Sequence, residues 1–135
     1  MIYPSRVYRT FQWLQAIAAA NTPVAGSRMA AAIVCRNRLI AVGRNSMKSS
    51  PMQKTWGRNP DSIFLHAEID AIRNSLRSLD VSDFRRCDLY VCRVRKNNST
   101  GLSRPCGGCS RAIVNFGIRR VYYSTDTDIA HWEVL

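Results

Sequence analysis

Two short segments constrain this chain more than anything else in it: His66-Ala67-Glu68 and Pro105-Cys106-Gly107-Gly108-Cys109. Cys106 and Cys109 stand three residues apart at the expected start of a helix, so both sulfurs face one side. The helix N-terminus there favours the thiolates that metal binding requires. His66 opens a second predicted helix and can add a nitrogen. Two thiolates and one imidazole leave the fourth tetrahedral position to water, the arrangement of a catalytic zinc and not of a structural one. A site of three or four thiolates is less natural, because Cys35, Cys87 and Cys92 have no close partner spacing. Those three read as packing residues.

Glu68 follows the histidine by two positions, too close to be an easy fourth ligand but well placed beside the open position. A carboxylate there can take a proton from a water and return it to a substrate. Zinc lowers the pKa of such a water to about 7, so hydrolytic attack on an electron-poor carbon bearing an amino group becomes feasible. Each piece alone is weak: a histidine at a helix start is commonly a cap, a lone C-x-x-C a structural metal site, a lone glutamate a solvated charge. The order H-x-E then P-C-x-x-C is stronger, because each half opens a predicted helix after an apolar segment.

With 135 residues, 46% of them hydrophobic, the chain is expected to form one domain, 1–135, around a single core. Twenty Lys and Arg against nine Asp and Glu give a net charge of +11, a field that favours anionic partners such as nucleotides or nucleic acid. Seventeen of the twenty are arginines, the better bidentate phosphate ligand. They are scattered and form no basic tail. Arg6 and Arg9 ahead of an apolar stretch resemble the layout of a signal peptide, but Gln12 and Gln15 interrupt it. Val7, Phe11, Leu14 and Ala18 share one helical face, so an amphipathic helix is expected there and no membrane span. Five cysteines without a disulfide-like spacing fit the cytoplasm.

Further along, Asn21, Pro23 and Gly26 predict a turn. Apolar runs at 30–35 and 39–42, with Asn37 and Arg38 between them, read as a hairpin. Residues 43–61 read as a long loop forming a rim or lid. Leu65, Ile69, Ile72, Leu76 and Leu79 repeat at intervals of four, three, four and three, the apolar stripe of a helix. Residues 88–95 read as a strand and 97–104 as a polar turn. A short helix from Pro105 and Cys106 should carry Ile113 and Phe116 and stop at Gly117. A strand follows at 118–123, and residues 124–135 fit either a short strand or a helix. This is an α/β order, with helix-separated strands expected to pair in parallel and the opening hairpin making the sheet mixed.

The chain resembles the zinc-dependent cytidine and deoxycytidylate deaminase superfamily, most of all its short deoxycytidylate deaminases, viral ones among them. The resemblance runs over 28–123. It rests on the strand pair, Gly43-Arg44-Asn45, His66-Ala67-Glu68-Ile69-Asp70-Ala71-Ile72, the Pro-Cys segment and Gly117-Ile118-Arg119-Arg120-Val121-Tyr122-Tyr123. It implies a three-layer helix/sheet/helix sandwich on a mixed, mainly parallel sheet of five (or four) strands, with zinc between two helix starts. It also implies homo-oligomers and, if the source is viral, the host cytoplasm. Asn45 matches the family's asparagine that touches the substrate sugar. The stretch between Glu68 and Cys106 is longer than the family's usual one, and the surplus at 95–103 is expected to form an extended hairpin. The substrate expected first is dCMP, giving dUMP and ammonia, with Arg44, Lys48, Lys54, Arg58 and Arg104 as candidates for gripping its phosphate. Deamination of cytosine or adenine in single-stranded DNA or RNA is the second expectation, with Trp56 or Phe64 stacking a base. Free (deoxy)cytidine ranks third, and a catalytically silent nucleic-acid-binding module last, because a structural zinc has no need of Glu68.

Overall fold

The computed structural model describes residues 3–22, 27–57 and 64–135. Pro23 and Gly26 of the expected turn, and Arg58 of the expected rim, lie outside them. The chain opens with helix α1 (Ser5–Ala19), whose predicted face is the buried one: Val7, Phe11, Leu14 and Ala18. Burying each of the three larger side chains contributes about 1.5–3 kcal/mol. Strands β1 (Arg28–Cys35) and β2 (Arg38–Arg44) follow as a hairpin. Its turn falls on Arg36 and Asn37, both at positive φ (52° and 66°), one residue earlier than the sequence suggested. A two-residue hairpin turn needs that conformation at both positions to match the strand twist.

The stretch expected to be loop holds a helix, α2 (Pro51–Trp56), which starts on a proline at its first turn. Helix α3 (Ala67–Ser75) is shorter than its apolar stripe, since Leu76 and Leu79 pack against the core from the turn beyond it. A 3-10 helix, Val81–Arg86, leads into β3 (Cys87–Val94). The surplus segment is the expected hairpin: β4 (Thr100–Gly101) folds back on β3, placing Thr100 opposite Val94. Helix α4 (Gly107–Phe116) ends at Gly117 with φ 80°, as read from the sequence. Strands β5 (Arg120–Tyr123) and β6 (His131–Glu133) close the chain, which resolves the last segment as a strand.

The sheet runs β2-β1-β3-β5-β6 with β4 attached to β3, six strands in all among the described residues. It is mixed, but "mainly parallel" needs correction. Only β3 and β5 are parallel neighbours, while the four other pairings are antiparallel. Strand β1 lies between β2 and β3, so the crossover through α3 joins strands that point the same way without touching. Alternate residues of the central strands face opposite layers, as the period of two requires. Ala31, Ile33, Leu89 and Val91 pack under α3 and α4, whereas Ala30, Ala32, Tyr90 and Cys92 pack under α1. The result is the expected helix/sheet/helix sandwich. Among the described residues no helix is long and apolar enough to cross a membrane.

Candidate active site

The two helix starts that carry the motifs meet beyond the finishing ends of β2 and β3. A pair of backbone bonds between Ser46 and Leu65, 3.0 and 3.1 Å, ties the segment before α3 to the end of β2. His66 is the N-cap of α3, and its N–H donates to Oε1 of Gln53 on α2 at 2.9 Å. Gln53 is 1% exposed, so this bond is made in the interior. The same short helix touches the other half-site. A Cβ on Gly108 would stand 1.9 Å from the carbonyl oxygen of Trp56, so the first turn of α4 can seat against α2 only because position 108 is glycine. Gly43 serves likewise under α3, where a Cβ would meet the amide nitrogen of Ala71 at 2.2 Å. Helix α2 thus braces both halves. The sequence reading missed it, because six residues give no measurable apolar period and their neighbours are rich in Ser, Asn and Pro. The one available signal was Pro51 after Ser50, a helix-start pattern.

The cluster brought together is the one foreseen. Nδ1 of His66 lies 3.3 Å from Sγ of Cys109 and 3.7 Å from Sγ of Cys106, and the three donor atoms all fall within 4.8 Å of one another. Tetrahedral zinc with ordinary Zn–S and Zn–N bonds separates a sulfur from a nitrogen by about 3.6 Å, so the spacing fits that ion. The three residues can hold a metal ion. Cys106, the N-cap of α4, has its thiol lowered to about 3, chiefly because the Cys109 thiol donates a hydrogen bond to it. Cys109 is pushed up for the same reason and by burial. The pair therefore offers a ready thiolate, and its remaining proton is the one a metal must displace. Cys35, Cys87 and Cys92 stand apart, Cys35 opposite Cys87 across β1 and β3, and Cys92 under α1.

Glu68 is 3% exposed in the first turn of α3, and burial pushes its carboxyl up while His66 pulls it down. The Cys106 thiolate pushes it up as a neighbouring charge, and the Cys109 thiol pulls it down by a hydrogen bond. The other singled-out residues are more dispersed. Asn45 is 7% exposed, and its amide is engaged on both sides: Oδ1 accepts from Asn21 Nδ2 (2.7 Å) and from the Met29 N–H (2.9 Å), while Nδ2 donates to the Ser27 carbonyl (3.0 Å). Arg44 and Lys48 are exposed and line, with Arg73 and Leu65, a hollow of about 310 Å³ next to His66 in the chain. Arg104 is held by Glu133 of β6 in a two-bond pair, 2.6 and 3.2 Å, so its fork is already occupied. Lys54 is exposed on α2, Trp56 is half-buried against the core, and Phe64 is exposed.

An imidazole and two cysteine sulfurs at one point, with a tetrahedral position to spare, define a zinc-binding α/β protein. Residues 8–125 match the family described as the cytidine and deoxycytidylate deaminase zinc-binding region, and the chain belongs to that family. Deoxycytidylate deaminase of Homo sapiens is 26% identical over 110 residues, covering 74% of this chain and 54% of its own length. The chain thus spans about half the length of the curated relatives it matches. Among solved structures, the apo dCMP deaminase of cyanophage S-TIM5 superposes with a TM-score of 0.64 at 20% identity, over 95% of this chain and 89% of that one. Cytidine deaminase from Burkholderia pseudomallei gives 0.66 at 15% identity, over 94% and 91%. At those identities the likeness is one of fold.

Proposed function

We propose that residues 1–135 form one zinc-dependent deaminase domain that converts a cytosine nucleotide, dCMP first of all, to the uracil nucleotide and ammonia. The observation that carries this reading is the convergence of His66, Cys106 and Cys109 beside a buried Glu68 at two helix starts. When bound, zinc would act as a Lewis acid that makes hydroxide available near neutral pH. The remaining work falls to the chain's own groups. His66 and the two cysteines fix the reacting centre. Glu68 sits out of water, with its carboxyl raised toward the range where it can both accept and give a proton. It takes a proton from the attacking water as the oxygen bonds to the ring carbon and gives it to the neighbouring ring nitrogen, whose double bond to that carbon opens; the proton of the new hydroxyl then passes to the amino group. The carbon–nitrogen bond then breaks and ammonia leaves.

The nucleotide reading draws on three supports. The relatives named above include deoxycytidylate deaminases, and the cyanophage enzyme is also known in complex with dCMP and dUMP. Arg44 and Lys48 line a hollow beside the His66 segment whose one carboxylate, Asp70, is paired with Arg73, so a phosphate would meet two further cations there. Asn45 stands at the rim of the same hollow and is proposed as the sugar contact, and Arg104 as a further phosphate contact that would first exchange Glu133. The chain is proposed to act as a homo-oligomer in the cytoplasm. The test is ammonia release from dCMP, deoxycytidine, dCTP and a cytosine-containing oligonucleotide. The reading expects dCMP to lead, and Arg44→Gln/Lys48→Gln to raise KM for dCMP far more than for deoxycytidine. Equal turnover of dCMP and deoxycytidine would dispose of the phosphate grip, and preferred turnover of the oligonucleotide would favour a polynucleotide enzyme.

A further inference from the structure

A second concentration of charge lies far from the metal cluster. A cavity of about 580 Å³ opens between the first turns of α1, the β1–β2 turn and the starting ends of β3 and β5. Five guanidiniums line it, those of Arg6, Arg9, Arg36, Arg119 and Arg120, against a single carboxylate, Asp88. That carboxylate is already committed: it accepts two bonds from Arg119, at 3.1 and 3.0 Å, and one from Arg120 at 3.4 Å. Among the described residues the side chains of Arg6, Arg9 and Arg36 make no hydrogen bond or ion pair. Three cations without an anion partner, drawn together by three separate elements, repel one another. Two tyrosine rings line the same cavity. Tyr90 and Tyr122 stack at 4.7 Å, and Arg120 lies over the Tyr122 ring at 6.0 Å.

The cavity is separate from the metal cluster in both directions. Asp88 and Arg120 stand where β3 and β5 begin, whereas α3 and α4 start beyond the ends where β2 and β3 finish. Tyr90 and Tyr122 face the α1 layer, whereas His66 and the cysteines belong to the α3 and α4 layer. Guanidinium forks match phosphate oxygens two at a time, and a cavity of this volume falls in the range of small-molecule sites, well beyond one phosphate. We propose that this cavity binds a small ligand carrying two or more linked phosphates, independently of the metal centre. A nucleoside polyphosphate and an inorganic phosphate chain share that chemistry.

The experiment is calorimetric titration of the zinc-loaded chain, at about 0.15 M salt so that diffuse surface attraction is screened. The probes are inorganic tripolyphosphate, ATP and orthophosphate. Tripolyphosphate should bind saturably and orthophosphate much more weakly. Arg9→Gln/Arg36→Gln removes two charge-assisted contacts and should weaken tripolyphosphate by at least about tenfold. Arg77→Gln/Arg86→Gln removes the same charge at exposed positions that line neither this cavity nor the hollow beside His66, and should leave it unchanged. Both positions 9 and 36 are exposed, and the two single variants carry the same test if the double one folds poorly. Tighter binding of ATP would assign the ligand as a nucleotide, and equal binding would assign the phosphate chain alone. The proposal is overturned if neither polyphosphate binds saturably, or if the two double variants lose affinity alike, which would mean net charge and not this cavity.

Discussion

Replacing Gln53 by leucine keeps a long, buried side chain on α2 while deleting the acceptor of the His66 N–H. Leucine itself loses nothing to desolvation, so the cost comes from the orphaned donor, about 1–3 kcal/mol for a buried N–H without a partner. At roughly 4 °C per kcal/mol for a domain of this size, melting should fall by about 4–12 °C. The same bond fixes the residue whose Nδ1 stands 3.3 Å from Cys109 Sγ, so the metal site should loosen as well. Loss of an outer partner of a metal ligand typically costs about 10- to 100-fold in affinity. The assay is zinc competition against a chromophoric chelator on reduced apoprotein, paired with a melting curve. Gln53→Glu retains an acceptor at the same atom but buries a carboxylate, so it should recover zinc affinity more than melting temperature. Unchanged zinc affinity and melting in Gln53→Leu would refute the bracing role assigned to α2.

Three further outcomes are expected. Glu68→Gln should keep its zinc and its fold while kcat drops by about 10²- to 10⁴-fold, the usual contribution of a positioned proton carrier. Metal analysis and ammonia release read both, and loss of zinc would make Glu68 a ligand instead. Cys106→Ala or Cys109→Ala should leave the purified chain without zinc, whereas Cys92→Ala, under α1, should retain about one ion per chain; zinc retained in either ligand variant rejects the donor set. Gly108→Ala puts a methyl where the Trp56 carbonyl lies 1.9 Å away, so α2 and α4 must separate. Overpacking of this kind costs about 1–3 kcal/mol, and a melting curve that does not move would show that the two helices are not in fixed contact.

Where local spacing carries the information, the sequence was enough. The α1 face follows from the positions of Val7, Phe11, Leu14 and Ala18, because 3.6 residues per turn leaves one way to bury them. Gly117 marks the end of α4 because only a residue without a Cβ takes φ 80° at no cost. That His66, Cys106 and Cys109 would converge was legible for a chemical reason: two thiols one helical turn apart and an imidazole at a helix start have few other uses together.

Tertiary structure decided what depends on partners distant in the chain. That β1 lies between β2 and β3, so that most pairings are antiparallel, is a choice of sheet neighbours, and strand patterns look the same in either arrangement. Helix α2 is held by the bond from His66 to Gln53 and by the close approach of Trp56 to Gly108, since six residues cannot sustain a helix by themselves. Arg104 was a free cation in the sequence and is half of an ion pair in the fold, its partner Glu133 lying 29 residues away. The seventeen arginines gave a field but no address. Five of them share one cavity only because α1, the β1–β2 turn and the starts of β3 and β5 end at the same place, and charge, unlike an apolar stripe, leaves no period from which such a meeting can be read.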